Sequence, residues 1–229
     1  MILASLPAKV MESYEDLGIF SPLFNTTHTI EESNTRKDIK LRSLKVTRLP
    51  NDGNTWLFQS EIQKIDCFKN QSKTVEESIV YLRGKHLYIF MIELKSSLTA
   101  KHIKGLKDKF KCSLVQIGNF LTMHQNFRKL ENVKLYPIGV CAFSHNQFLE
   151  NHVIKESYIP RSRLQENFLK FDFKANSLQK TLIEIQPPNL DRMSIDLIFC
   201  QNPAWINTYS DSDNFDINFQ DLINSIHHN

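Results

Sequence analysis

Residues 76–97, EESIVYLRGKHLYIFMIELKSS, hold carboxylates and an ammonium that one hairpin could bring together. Glu93 and Lys95 stand two apart at the end of an apolar run. Side chains alternate faces along a strand, so these two share a face with Leu87, Ile89 and Met91. Tyr88, Phe90, Ile92 and Leu94 line the other face. Arg83-Gly84-Lys85-His86, flanked by apolar runs, signals a tight turn. The turn's length decides what lies across from Glu93. A three-residue loop puts Glu77 there; a two-residue loop puts Glu76 there. Either register brings a second carboxylate to about 5–6 Å, Cβ to Cβ. Carboxylates that close repel unless a cation lies between them. Lys95 offsets part of the repulsion, and a divalent metal would offset more. Mg²⁺ takes one or two carboxylates and keeps several waters, which leaves room for a phosphate. The plainer alternative is a solvated Glu-x-Lys pair on an exposed strand face, which stabilises little.

The segment that follows, 98–127, changes period. Ile103, Leu106, Phe110, Leu114, Ile117 and Leu121 recur at helical spacing, with Thr99 as N-cap and Gly118 as a place to kink or end the helix. Lys101, Lys104, Lys107, Lys109 and Lys111 lie mostly off that stripe. Such a face suits a phosphate backbone through counterion release. The commoner use of such lysines is the ordinary solvated face of a helix. Gln116 is a further polar residue for the same neighbourhood, or simply a partly buried one.

Acid, hairpin, Glu93-Leu94-Lys95 and then a helix together resemble the PD-(D/E)xK nuclease superfamily. In that family an acid begins one strand of a hairpin, the next strand carries Glu/Asp-x-Lys, and a helix follows. The resemblance covers residues 76–121. It implies a restriction-endonuclease-like α/β (mixed α+β) fold, a central mixed sheet flanked by helices. It also implies a metal-dependent endonuclease hydrolysing phosphodiester bonds in DNA, with Mg²⁺ or Mn²⁺. Glu77 (or Glu76), Glu93 and the Leu94 carbonyl would hold the metal. Glu77, Glu93 and Lys95 would be the catalytic set, and Lys101, Lys104, Lys107 and Lys111 would meet nucleic acid. An upstream acid commonly comes from an N-terminal helix, and Glu12, Glu15 and Asp16 stand for it here; Asp66 is the other option. The chain departs from the family in having Glu-Glu where Asp, often after Pro, is usual. A relative lacking the third acid would be an inactive module that binds nucleic acid or a protein.

The elements around the motif fit a mixed core. Residues 7–20 carry helical spacing (Val10, Tyr14, Leu17), and 21–38 read as a loop. Residues 39–48 alternate in two phases, a half-buried strand with a bulge near Arg42-Ser43. NDGN at 51–54 is a turn, and 55–68 a second strand. Strands are expected at 134–143, 181–187 and 193–200, with a polar stretch at 207–216 and a C-terminal helix from Phe219. Residues 145–180 show no clear period. One domain over 1–229 is expected, with a nuclease-like core at about 40–145 and a C-terminal extension at 146–229.

Composition agrees with an ordinary globular chain: 229 residues, 41% hydrophobic, net charge +3. That charge permits a nucleic-acid partner without requiring one. Four cysteines, Cys67, Cys112, Cys141 and Cys200, fit no zinc spacing and suit buried thiols in a reducing compartment. There is no GxGxxG, no GxxxxGK[ST] and no HxxxH or HxH pair, so nothing in the sequence supports nucleotide or histidine metal sites of those kinds. No apolar run reaches the roughly 20 residues that span a bilayer, and the N-terminus lacks a basic n-region. The expectation is a cytoplasmic protein with no membrane contact, a homodimer being allowed.

Overall fold

The computed structural model describes residues 20–32, 41–58, 74–98, 100–123, 133–145, 178–185, 193–201 and 214–227, the side chains of 178–185 and a few helix residues excepted. Its strands are β1 (Phe20–Pro22), β2 (Thr27–Glu31), β3 (Ser43–Thr47), β4 (Thr55–Phe58), β5 (Glu77–Arg83), β6 (His86–Ser97), β7 (Lys134–His145), β8 (Leu178–Ile185), β9 (Met193–Gln201) and β10 (Asn214–Asn218). Its helices are α1 (Ala100–Met123) and α2 (Phe219–His227). Seven strands form the main sheet in the order β1-β4-β5-β6-β7-β9-β8, and three form a second sheet, β10-β3-β2.

The chain is therefore mixed α/β. β4, β5 and β6 run antiparallel in succession, whereas β6, β7 and β9 are mutually parallel neighbours. Parallel neighbours need a crossover, and α1 supplies it between β6 and β7. The main sheet is covered on both faces. Leu87, Ile89 and Met91 belong to the core shared with Leu106, Phe110, Leu114, Ile117 and Leu121 of α1. Tyr88, Phe90, Ile92 and Leu94 belong to the core shared with Leu44, Val46 and Ile217 of the second sheet and Phe219, Leu222 and Ile223 of α2. Burial on both faces is why β6 reads as a continuous apolar run rather than an alternating one.

Two local features seat α1 and fix the hairpin. Gly139 of β7 lies under Phe110: a Cβ there would come within 2.9–3.0 Å of the ring. Gly84 has φ 62°, and Lys85 is not in the positive-φ region. Positive φ at the first central residue alone is the type II′ pattern of a two-residue hairpin. The ladder accordingly closes with Arg83 opposite His86 and runs back to Glu77 opposite Ile92.

Several sequence expectations change. The stretch 21–38 is not all loop, because Phe20–Pro22 and Thr27–Glu31 are strands. Asn214–Asn218, which begins inside the polar stretch 207–216, is β10, paired with β3. Gly118 does not end the helix, which continues to Met123. The phase slip near Arg42-Ser43 falls just ahead of β3, between buried Leu41 and buried Leu44. β8 and β9, from beyond residue 145, extend the main sheet next to β7, so those strands are built into the same sheet as the hairpin. The helix expected over 7–20 lies outside the described residues except at Phe20, which begins β1 instead; Thr99, Cys67, residues 146–177 and the 186–192 turn also lie outside them. No helix among the described residues is long and apolar enough to cross a membrane.

Candidate functional site

The site forms where β6 reaches its C-terminal end. In open sheets with parallel strands, ligands collect at that edge. Glu93 sits on the face that α1 covers and is fully buried. The pair is therefore not the solvated strand-face pair of the plainer reading. A buried carboxylate is costly unless cations and donors meet it. Two ammoniums do so. Lys95 Nζ donates to Glu93 Oε1, and Lys109 Nζ, from α1, donates to the same oxygen at 2.6 Å. Lys95 also donates to the Leu94 carbonyl at 2.9 Å. Burial acts to lower the Lys95 pKa, but the Glu93 carboxylate beside it outweighs that effect, and the ammonium is held above its ordinary value; Glu32, at the end of β2, acts in the same direction.

The two-residue turn settles which acid belongs here. With Glu77 opposite Ile92, the next position back, Glu76, comes up to Glu93. Lys109 Nζ lies 3.8 Å from Glu76 Oε1, so one ammonium reaches both carboxylates. Glu77, expected as a metal ligand and catalytic acid, points to the other face of the sheet. There its Oε2 meets His28 Nε2 of β2 at 2.6 Å, which ties the two sheets together. The cause is the period of two: a slip of one residue moves a side chain to the opposite face.

α1 fixes the approach of Glu76. Ser113 Oγ accepts a hydrogen bond from the Val75 amide at 3.0 Å. His102 Nδ1 donates to the Ser97 carbonyl at 2.7 Å, which ties the start of the helix to the end of β6. His102, Lys109, Ser113 and Gln116 are spaced 7, 4 and 3 apart, so they form one polar stripe turned toward the sheet. Gln116 and Ser113 also line a recess of about 10 Å³ with Phe58, Thr74, Val75, Glu77 and Ser78, room for about one water.

Two buried polar atoms have no hydrogen-bond partner among the described residues: Glu93 Oε2 and Gln116 Nε2. Orphaned buried polar atoms are rare and call for a reason. For Glu93 the contrast is internal to one carboxyl group, since Oε1 takes two ammoniums and Oε2 takes nothing. The oxygens available here, two carboxylates and a backbone carbonyl, are hard donors of the kind Mg²⁺ and Mn²⁺ prefer. Yet among the described residues no three Asp, Glu, His or Cys side chains gather as a ready-made metal cage.

Cys141 of β7 is level with Glu93 in the ladder. Burial and the Glu93 charge push its thiol up to about 12, so it stays protonated and inert as a nucleophile.

Of the helix lysines proposed to meet nucleic acid, Lys107 is exposed and Lys111 half-buried, while the side chains of Lys101 and Lys104 lie outside the described residues. So do Glu12, Glu15, Asp16 and Asp66. Lys109 belongs to the site, although its sequence context gave it only a place on the basic face. Its spacing to Ser113 and Gln116 was the available signal. Comparisons with protein-family models, with curated proteins and with solved structures give no match.

Proposed function

We propose that this chain is a metal-dependent endonuclease that hydrolyses phosphodiester bonds in DNA, with a site of the PD-(D/E)xK type. The observation that carries the reading is the half-satisfied Glu93 carboxylate, buried at the end of a parallel strand beside Lys95, the Leu94 carbonyl and Glu76. The order of elements supports it too: an acid entering a hairpin, Glu-x-Lys on the second strand, then a helix.

Glu76, Glu93 Oε2 and the Leu94 carbonyl are the oxygens that would hold Mg²⁺ or Mn²⁺, which when bound lowers the pKa of an attacking water and neutralises charge on the phosphate. The chain's own residues do the rest. Lys95, kept charged by Glu93, orients the water with its one remaining N–H and stabilises charge growing on the phosphate oxygens. Ser113, by holding the Val75 amide, keeps Glu76 facing Glu93. Lys107, exposed on α1, is available to the phosphate backbone without reading sequence.

A second reading is an inactive relative that binds nucleic acid or a protein partner. The observation that favours it is Lys109, a second ammonium on the carboxylate that should serve the metal. One experiment separates the two. Purified protein is incubated with linear and supercoiled DNA, with Mg²⁺, with Mn²⁺ and with chelator, beside Glu93→Ala and Lys95→Ala. Metal-dependent cutting that both variants lose is the expected result. Salt-sensitive binding without cutting selects the second reading. Cutting retained by both variants overturns the assignment of the site.

A further inference from the structure

The geometry points to Lys109 as a resident counter-cation that a divalent metal must displace, so that metal entry and departure of the Lys109 ammonium from Glu93 are one event. This rests on the metal-dependent reading above.

Lys109 reaches both acids, at 2.6 Å from Glu93 and 3.8 Å from Glu76. Its ammonium therefore lies between the carboxylates that would hold the metal. Two cations cannot share that space. Lys95 is differently placed: it is anchored to the Leu94 carbonyl of its own strand as well as to Glu93, and its side chain is 19% exposed. Among the described residues Lys109 has no backbone anchor of that kind on the strand. Its side chain is 26% exposed, and a lysine stem can carry its head group to water while keeping its methylenes packed. In the resting site the buried Glu93 thus has two ammoniums to offset its charge. That is a reason for the buried Glu93 to be tolerated without metal.

Displacement has a consequence for substrate. A Lys109 ammonium released from the acids sits on the helix that also carries the exposed Lys107, where a phosphate can accept it. Metal and a phosphate backbone then favour each other, because each removes what opposes the other, and coupling between two ligands is reciprocal. Lys109 is a positioning residue in this scheme. It acts through Glu93 and Glu76 and need not touch the reacting atoms.

The test measures Mn²⁺ binding by electron paramagnetic resonance and by calorimetry, without substrate, for the wild-type chain, Lys109→Met, Lys109→Gln and Glu93→Gln. Thermal unfolding of each variant is recorded alongside. The expected result is at least tenfold tighter Mn²⁺ binding in Lys109→Met and Lys109→Gln than in the wild type, and loss of binding in Glu93→Gln. A lysine with a merely structural role would weaken binding when removed, so a gain shows that the Lys109 ammonium opposes the metal. Equal or weaker affinity in either folded Lys109 variant overturns the inference and leaves the metal-dependent reading intact. Absence of Mn²⁺ binding in the wild type and in both Lys109 variants overturns the two together.

Discussion

Replacing Gly139 by alanine asks how α1 is seated over the sheet, and through that seating how Lys109 is aimed. The new Cβ would stand 2.9 Å from Phe110 Cε2 and 3.0 Å from Cδ2 and Cζ. Carbon atoms pack best at about 3.5–4.0 Å, so the shortfall is roughly 0.5–1 Å against three atoms of one ring. Phe110 is fully buried, with β6 and β7 beneath it, and the ring has no free rotamer to retreat into. The helix must lift or the strand must sag. Overpacking of this kind costs about 1–3 kcal/mol. At the middle of that range a chain of this length loses about 4–8 °C in melting temperature. Phe110→Leu alone forfeits burial and should cost about 1–2 kcal/mol. In the double variant the smaller side chain makes room for the new methyl, so the two costs should fall short of their sum by at least about 0.5 kcal/mol. The assay is a four-member cycle by urea unfolding. Additive costs, or a Gly139→Ala protein as stable as the wild type, would refute the argument that backbone approach at Gly139 sets the helix.

Exchange of Glu76 for Gln should abolish metal-dependent cutting, whereas Glu77→Gln should preserve it; the reverse pattern in a gel assay would show that the register argument misplaces the acid. His28→Ala and Glu77→Ala should each destabilise the chain but couple by about 1 kcal/mol in a double-mutant cycle, since a partly buried, charge-assisted bond joins the two sheets there; zero coupling would remove the bond from the account of how the sheets are held. Stability should fall on the alkaline side. The folded chain keeps the Cys141 proton up to about 12 while the unfolded chain gives it up near 9.0, and it keeps the Lys95 proton past the usual 10.5, so in both windows the native state binds more protons than the unfolded one and rising pH favours unfolding. Urea midpoints measured from pH 7 to pH 11 should drop above about pH 9, less steeply in Cys141→Ala, and a flat profile in the wild type would contradict the burial of that thiol.

The hairpin and the helix after it were legible because their signals are large. An apolar run bounded by Arg83-Gly84-Lys85-His86, followed by a change of period, leaves few alternatives. The register was not legible. It turns on whether Gly84 alone takes positive φ, and a glycine in a sequence permits several turns without naming one. The strands β2 and β10 were missed for another reason. Each has five residues and only one that is fully buried, Ile30 and Ile217 respectively. Most of their side chains face outward, so composition makes them look like loop. What makes them strands is pairing with β3, which is non-local: β10 lies some 170 residues further along the chain, and Ser43 donates to Asn214 across that separation.

Lys109 shows why the site itself was harder to read than the fold. Charged residues on a helix are usually solvated, and five lysines on one helix encourage that reading. Yet a helix covering a strand that ends in a buried acid must present something to that acid. Any apolar residue at position 109 would leave Glu93 without one of its two ammoniums and Glu76 without the ammonium that now reaches it, and both carboxylate side chains are largely buried. The cation is demanded by the acid, and the acid is placed by the strand. The inference therefore runs from Glu93 to the helix and not from the helix to Glu93. The same logic limits what a structural role can explain. Two ammoniums on Oε1 would satisfy a buried ion pair, but they do nothing for Oε2, which stays desolvated and unpaired among the described residues. A site selected only for stability gains nothing from that oxygen, since apolar residues of similar volume would fill the space at lower cost. An oxygen held bare in this way is what the proposed site would offer a divalent cation that takes the place of Lys109.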